Sequence, residues 1–250
     1  MITLKSQDEI RKMRRASQIV FSCLSDLKEM TKPGRMTKEL DIFVEQKITQ
    51  MGGTPAFKGY RKFPASLCVS INDEVVHGIP SKRVIQEGDV VGLDLGVIYE
   101  GYYGDAAITL MIGAVPPETR RLVEVTEQSL YRGIHAAQVG HRVSDISYAV
   151  ESYVTASGYS VVRQYAGHGI GRALHEAPEV PNFTTSAKGP RLRAGMVLAI
   201  EPMVNVGKSE VYLRADRWTA VTADGSLSAH FEHTVLITEQ GPVILTSHSE

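Results

Sequence analysis

Two aspartates lie in the apolar stretch VVGLDLGVIYEGYYGDAAITL, which predicts two strands folded back on each other. If the turn is centred between Tyr99 and Glu100, Asp94 lies directly opposite Asp105. If the turn is Glu100–Gly101, the two acids are diagonal neighbours. Because side chains alternate between the faces of a strand, both registers put the acids on one face.

Two carboxylates on one face of a hairpin repel each other unless something neutralises them. Directly opposed side chains have Cβ atoms about 4.5–5.5 Å apart, and like charges so placed are destabilising. A shared proton or a bound cation would offset the repulsion, whereas ordinary surface acids on a solvated hairpin would need neither. The apolar residues around Asp94 predict burial, so we favour a metal site.

Two histidines occur in the segment GHGIGRALHE, namely His168 and His175. Its glycines argue against a regular helix, and therefore against the two helical ligands of an HExxH site. We expect a Gly-rich turn that brings His168 to a metal ion and His175 to the substrate. A phosphate-binding loop or a plain turn is the alternative, although Arg172 is a poor substitute for the Lys or Ser/Thr that a phosphate loop needs.

Two further acids are embedded in apolar runs, Glu201 in MVLAIEPMV and Glu232 in SAHFEHTVLI. Burying an unpaired carboxylate is costly, and each acid alone is best explained as a salt-bridged core residue. Four such acids and one histidine together indicate a metal centre. Oxygen ligands with one imidazole suit Mn²⁺, Fe²⁺, Co²⁺ or Zn²⁺, and four carboxylates favour two ions about 3.5–4 Å apart.

The composition limits the remaining function classes. The 250 residues carry a formal net charge of −1, with 43% hydrophobic and 22% charged residues, which is typical of a globular protein. Near-neutral charge gives no reason to expect nucleic acid or a charged membrane as the main partner. Two cysteines argue against a disulfide framework and exclude a four-thiolate cage. Without a signal peptide or an apolar run of transmembrane length, a cytoplasmic protein is expected.

Four helices and several strands are predicted from periodicity and from turn residues. The helices cover about 6–31, 37–51, 117–139 and 144–157, with Thr37 as the N-cap of the second. Besides the hairpin, strands are predicted at 66–71, 161–165, 196–200, 218–222 and 234–237.

An internal repeat relates the two halves of the chain. The pattern that begins at Gly34 recurs at Gly140, 106 residues later. EGDVVGLDLGV resembles RAGMVLAIEPMV, which pairs Asp94 with Glu201 at an offset of 107. We expect two similar α/β halves, about 34–112 and 140–238, that meet at a shared central site within a single domain, 1–250.

The spaced acids and histidines closely resemble those of the type I methionine aminopeptidases, and the resemblance extends over essentially the whole chain. It implies the pita-bread fold, an α/β (α+β) architecture with two pseudo-symmetric halves and a central curved antiparallel sheet flanked by helices. It also implies that Asp94 chelates one metal ion, that His168 and Glu201 hold the other, and that Asp105 and Glu232 bridge the two.

The resemblance assigns further residues to the substrate. His77 would lie near the scissile amide and His175 near the carbonyl oxygen, while Glu201 would move a proton. The methionine pocket would be lined by Tyr60, Phe63, Cys68, Leu174 and Trp218. Phe63 and Leu174 depart from the family pattern, which commonly has a tyrosine and an aromatic residue there. Asn72 and Ser228 match an auxiliary site for Na⁺ or K⁺.

The implied activity is removal of the initiator methionine from new polypeptides, by water that two divalent ions activate. A Xaa-Pro aminopeptidase-like enzyme would share the ligands but usually carries an additional N-terminal domain. A non-catalytic peptide-binding protein of this fold is the other alternative, and it would be expected to have lost ligands. The expected partners are the N-terminal peptide substrate and, as a candidate, the ribosome, with no membrane and with a monomeric protein. Among the other histidines, we expect His141 and His230 to be exposed and His233 to be structural.

Overall fold

In the computed structural model, which describes residues 2–247, four α-helices surround a large antiparallel sheet. The helices are α1 (Gln7–Met30), α2 (Thr37–Gln50), α3 (Pro117–Ala136) and α4 (Val143–Ala156), and a short 3-10 helix covers Tyr60–Lys62. The strands are β1 (Thr54–Pro55), β2 (Cys68–Ile71), β3 (Glu74–Val76), β4 (Val90–Tyr99), β5 (Tyr102–Met111), β6 (Ser160–Val161), β7 (Gly167–Gly169), β8 (Glu176–Val180), β9 (Val197–Ile200), β10 (Met203–Asn205), β11 (Val211–Leu213), β12 (Ala220–Thr222), β13 (Ser228–His230), β14 (Glu232–Thr238) and β15 (Gly241–Ile244).

The four predicted helices are present, with ends within a few residues of those expected. Ser6 caps α1 and forms a capping box with Glu9. The prediction of Thr37 as an N-cap was wrong, because Met36 occupies that position and Thr37 is the first helical residue. The Thr37 hydroxyl is instead used by a tertiary contact, in which it donates to the Ser81 carbonyl and accepts from the Ser81 N–H.

The central hairpin takes the second of the two predicted registers. Strands β4 and β5 pair from Val90–Met111 to Tyr99–Tyr102, so the turn is Glu100–Gly101. Both turn residues have positive φ, 46° and 79°, as in the type I′ turns that match the twist of a two-residue hairpin. The two acids of the hairpin are therefore diagonal neighbours.

The nine-stranded sheet has the order β1-β4-β5-β14-β9-β7-β8, with β2 also paired to β4 and β15 to β14. Its pairings are antiparallel. Two smaller sheets, β13-β10-β6 and β11-β12-β3, lie outside it. Among the described helices, none is both long enough and apolar enough to cross a lipid bilayer.

His168 lies in a strand rather than in the expected Gly-rich turn, which is confined to residues 170–175 between β7 and β8. Strand β7 lies between β8 and β9. A Cβ atom at Gly167 would lie 2.3 Å from the Ala199 carbonyl oxygen, and one at Gly169 would lie 2.4 Å from that of Ala177. The glycines are needed because neighbouring backbone approaches β7 closely.

The two helices of the sequence repeat each pack on a different hydrophobic cluster. Helix α2 contributes Leu40, Val44 and Ile48 to a cluster that contains the apolar residues of β4. Helix α4, 106 residues later, contributes its apolar face to a second cluster that includes Leu198 and Ile200 of β9. The boundaries 34–112 and 140–238 stay a prediction from the sequence.

Candidate metal centre

The five predicted metal ligands come from neighbouring strands of the central sheet. Asp94 lies in β4, Asp105 in β5, Glu232 in β14 and His168 in β7, while Glu201 directly follows β9. In the sheet these strands occur in the order β4-β5-β14-β9-β7. Residues far apart in the sequence are thereby brought to one region.

The register puts the three acids of β4, β5 and β14 on one face. Ala107 pairs with Asp94 on one side and with Glu232 on the other. Cross-strand partners share a face, and so do residues two apart on one strand. Asp105, two residues before Ala107, therefore joins them.

The histidine and the fourth acid reach the same face through β9. His168 pairs with Ala199, which lies two residues before Glu201. His233 pairs with Ile200 on the neighbouring antiparallel strand. The next two residues of that register, Glu232 and Glu201, therefore lie opposite each other. His233 belongs to the other face, where its Nδ1 lies 2.9 Å from Thr246 Oγ1; its structural role stays a prediction.

The side chains converge closely. One ligand atom from each of Asp105, His168 and Glu232 lies within 4.8 Å of the other two. His168 Nε2 is 3.4 Å from Glu201 Oε1. Asp105 is 4% exposed and Glu232 is 2% exposed, so the carboxylates are largely removed from water.

Three buried carboxylate oxygens in this group have no hydrogen-bond partner among the described residues, namely Asp94 Oδ1, Asp105 Oδ1 and Glu232 Oε1. Buried polar atoms are normally satisfied, and an unpaired buried charge is expensive. Hard anionic oxygens beside one imidazole nitrogen form a donor set that suits divalent first-row metal ions. These residues therefore fit a divalent metal centre.

Burial raises the pKa of every carboxyl in the cluster, and repulsion between the acids adds to it for all of them except Asp94. Desolvation is the main cause for each of them and raises the pKa of Asp94 to about 7. The neighbouring acids, Asp94 among them, raise the pKa values of Asp105, Glu201 and Glu232 further. The cluster holds protons that a divalent cation would displace.

His168 presents one defined nitrogen to the cluster. Its Nδ1 lies 2.9 Å from the Gly169 carbonyl oxygen, and because a carbonyl only accepts, Nδ1 carries the proton. Nε2 is then the lone-pair nitrogen that faces Glu201. Burial, with a smaller contribution from His175, lowers the pKa of His168 to about 4. A neutral imidazole in this tautomer is a metal ligand.

The two predicted catalytic histidines, His77 and His175, line the same cavity. His175 precedes β8, and its Nδ1 lies 2.8 Å from the Tyr60 hydroxyl. Its ring centroid is 4.2 Å from that of His168. His77 directly follows β3, and burial, with the neighbouring His175, lowers its pKa to about 4.

The predicted pocket residues line this cavity, which has a volume of about 210 Å³. That volume suits one side chain rather than a drug-sized ligand. The pocket residues are Tyr60, Phe63, Cys68, Leu174 and Trp218. Phe63 packs edge-to-face on Trp218 at 5.0 Å, and Cys68 pairs with Asp94 across β2 and β4. The pocket is therefore apolar and directly adjoins the acids.

The predicted monovalent-cation residues also meet, because the Ser228 N–H donates to the Asn72 carbonyl at 2.9 Å. The Asn72 side chain donates to Asp89 and accepts from Val90 N–H. The Ser228 hydroxyl contacts the Val204 carbonyl and Asn205 Oδ1. Both side chains thus have protein partners, and a cation site here stays a prediction.

Sequence reasoning missed one histidine of the site. His230, expected to be exposed, is 4% exposed, and its Nε2 lies 3.9 Å from Glu201 Oε2. The signal was its position two residues before Glu232, since alternation along an extended chain puts both side chains on one face. Tyr165, which also lines the cavity and packs edge-to-face on His77 at 5.3 Å, had no comparable signal.

Comparisons with known proteins agree with this site and fold. Residues 11–239 match the model of metallopeptidase family M24. A methionine aminopeptidase from Clostridium perfringens is 51% identical over 246 residues, which cover 98% of this chain and 99% of that protein.

Solved structures confirm the predicted pita-bread architecture. The methionine aminopeptidase from Thermotoga maritima superimposes with a TM-score of 0.97 at 44% identity, covering 99% of this chain and 100% of that one. A prolidase from Pyrococcus furiosus shares the fold at a TM-score of 0.79 and 25% identity, with 99% of this chain matched to 66% of the prolidase. By its sequence and its fold, the chain belongs to the metallopeptidase family M24, within the group of the methionine aminopeptidases.

Proposed function

We propose that this protein is a metal-dependent aminopeptidase that hydrolyses the bond after an N-terminal methionine. The observation that carries the proposal is the convergence of Asp105, His168 and Glu232 beside a small apolar pocket lined by Phe63 and Trp218. The pocket would hold the methionine side chain, while the acids would lie next to the backbone of the same residue.

Two divalent ions would be held by the five ligands. We assign Asp94 to one ion, His168 and Glu201 to the other, and Asp105 and Glu232 to both. Co, Mn, Fe or Zn would suit this donor set. When bound, the ions would lower the pKa of a water molecule toward neutrality and polarise the scissile carbonyl.

The protein's own groups would move the protons. In the metal-loaded protein the Glu201 proton would be displaced, and the resulting carboxylate could accept a proton. Glu201 would accept the proton of the attacking water and deliver it to the leaving amine. His77, which lines the same cavity, would lie near the scissile amide.

His175 would stabilise the developing negative charge on the carbonyl oxygen. If the Tyr60 hydroxyl donates to His175 Nδ1, the proton of the neutral ring is on Nε2, which can then donate to the substrate. Desolvation and the Arg61 cation lower the pKa of His175, so the neutral form dominates at pH 7. Tyr60 would thereby select the useful tautomer.

The proposed function includes a monovalent-cation site, a domain organisation, a location and partners. We propose that Asn72 and Ser228 adjoin an Na⁺ or K⁺ site, and that residues 1–250 work as one catalytic domain. We further propose a cytoplasmic monomer that acts on N-terminal peptides, with the ribosome as a candidate partner.

A peptide assay after metal removal tests the proposal. The chelated protein should not cleave Met-Ala-Ser, and re-addition of individual divalent metals should restore release of free methionine. Asp94→Asn should abolish the recovery, whereas Glu239→Gln, a change at an exposed acid, should not.

The same assay separates the two alternatives. Cleavage restricted to Xaa-Pro peptides would favour a proline-directed peptidase, such as the prolidase that shares the fold. Tight binding of Met-Ala-Ser without cleavage in any divalent metal would favour a non-catalytic peptide-binding protein. Either result would refute the proposed function.

A further inference from the structure

The indole wall of the pocket lies outside the central sheet. Trp218 belongs to the loop between β11 and β12, and we call residues 214–219 the Trp218 turn. Its ring packs edge-to-face on Phe63 at 5.0 Å and on His77 at 6.3 Å. His77 directly follows β3. The width of the pocket therefore depends on how the Trp218 turn lies relative to β3.

Asp216 determines the internal shape of the Trp218 turn. Its Oδ1 accepts from the backbone N–H groups of Trp218 at 2.8 Å and of Thr219 at 2.9 Å, and its Oδ2 accepts from the Thr219 hydroxyl. The Arg214 N–H donates to the Thr219 carbonyl at 2.9 Å. These bonds close the turn on itself, and none of them extends to β3.

The backbone pairing between β12 and β3 is short and irregular. Ala220 pairs with Val76, Val221 pairs with Glu74, and the register shifts between the two pairs. A bulge disrupts the ladder locally, and one further backbone bond, from the Thr222 N–H to the Asp73 carbonyl at 2.9 Å, follows it. A side-chain contact adds to this short backbone pairing.

The side chain of Arg214 makes that contact. Its Nη1 donates to the Glu74 carboxylate, and its Nη2 donates to Asp73 Oδ2 at 3.2 Å. Glu74 is 8% exposed and also accepts from the Ile71 N–H at 2.8 Å. A largely buried carboxylate that is bonded to its own backbone is a rigid anchor, because it has few alternative partners.

We infer that Arg214, through Glu74, is a positioning residue that sets the separation of Trp218 from His77 and thereby the selectivity of the pocket for the methionine side chain. The inference rests on the proposed function for its substrate. The placement of Trp218 can be tested without that function, because the contact joins two parts of the protein itself.

Arg83 provides a matched control. Its Nη1 donates to the same Glu74 carboxylate at 2.9 Å, and its exposure, 39%, is close to the 40% of Arg214. Arg83 lies outside the Trp218 turn, and its carbonyl oxygen accepts a hydrogen bond from the Thr37 N–H at the start of α2. Arg83→Gln and Arg214→Gln each leave Glu74 one arginine, so compensation of a buried charge alone would give both variants the same properties.

Fluorescence measures the placement directly, because Trp218 is the single tryptophan of the chain. In chelated protein, Arg214→Gln should shift the emission to longer wavelength and increase acrylamide quenching, whereas Arg83→Gln should match the wild type. Arg214→Lys keeps the charge and one contact. It should give a smaller change in the same direction, and it replaces Arg214→Gln if that variant folds poorly.

Kinetics measure the selectivity. With metal added, Arg214→Gln should raise KM for Met-Ala-Ser about tenfold. A displaced Trp218 side chain should weaken substrate binding about as much as the loss of one methylene contact in an apolar pocket. Its preference for Met over Leu peptides should fall, whereas kcat and Mn²⁺ affinity should change little. Arg83→Gln should retain the wild-type KM and preference.

Equal emission and equal substrate preference in the two Gln variants would overturn the inference. A loss of kcat or of Mn²⁺ affinity without a change in KM would also overturn it, because the role would then lie in the metal centre. If the wild type cleaves no methionine peptide, the proposed function fails instead. The emission contrast between Arg214→Gln and Arg83→Gln would still decide whether Arg214 places Trp218.

Discussion

Replacing Asp94 with Asn should stabilise the metal-free protein while it removes activity. Burial raises the pKa of Asp94 from its ordinary value of 3.8 to about 7. The folded state therefore binds this proton more tightly than the unfolded state does, and above pH 3.8 the ionisable carboxyl lowers the free energy of unfolding. Asn has the same shape and no charge, so it removes this destabilisation.

The size of the effect follows from the two pKa values. At pH 8, which is above both pKa values, the rise in pKa corresponds to about 4 kcal/mol of lost stability, and at pH 5 to about 2 kcal/mol. For a chain of this length, about 4 kcal/mol raises Tm by about 10 °C. Burial of His168 and His77 has the opposite pH dependence, because their lowered pKa values cost stability only as the pH falls below about 6.5. The wild type and Asp94→Asn both contain these histidines, so the histidine contributions cancel in the stability difference between the two proteins.

Thermal unfolding in chelator tests the prediction at pH 5 and pH 8. The Tm difference between Asp94→Asn and the wild type should be positive and larger at pH 8, while Glu239→Gln, at an exposed position, should show little change at either pH. Saturating Mn²⁺ should reverse the order, since only the wild type retains all five ligands and ligand binding stabilises the folded state. A variant less stable than the wild type in chelator at pH 8 would show that Asp94 is satisfied by a contact other than a cation.

Three further predictions concern the same site. His175→Ala should lower turnover by about 10²-fold with unchanged metal content, because only a donor to the carbonyl oxygen is lost; unchanged turnover would refute that role. Gly167→Ala should cost about 1–3 kcal/mol of stability and weaken metal binding, since its Cβ would lie 2.3 Å from the Ala199 carbonyl oxygen. Gly92→Ala in β4, whose nearest neighbour would be 3.6 Å away, should be tolerated in the same unfolding assay. Mn²⁺ affinity measured by calorimetry should rise between pH 6 and pH 8 with release of protons, because the cation competes with protons on the raised-pKa carboxyls; affinity independent of pH would contradict those shifts.

Several features of the site could be predicted from the sequence because they depend on alternation along a strand. An acid in an apolar run, such as Asp94 or Glu232, is costly wherever the strand packs, so a compensating partner could be inferred locally. Asp94 and Asp105 were expected on one face because side chains alternate along a strand, and this expectation was the same for both registers of the hairpin. The same alternation relates His230 to Glu232, two residues later, and therefore puts His230 beside the site.

Other features required the tertiary structure. The strand at His168 is stabilised by close backbone neighbours on both sides, and glycines alone give no signal that distinguishes it from a turn. The bond from Tyr60 to His175 joins residues 115 positions apart, and that from Arg214 to Glu74 joins residues 140 apart. No local sequence pattern predicts either bond.

The sequence by itself therefore indicated which acids would need a compensating partner, because the cost of a buried charge is a property of its immediate surroundings. Only the tertiary structure decided which tautomer His168 adopts, how the hairpin turns at Glu100–Gly101, and that Arg214 contacts Glu74. Those outcomes depend on distances between strands and on the direction of individual donor and acceptor groups. Both are set only when segments distant in the sequence pack together.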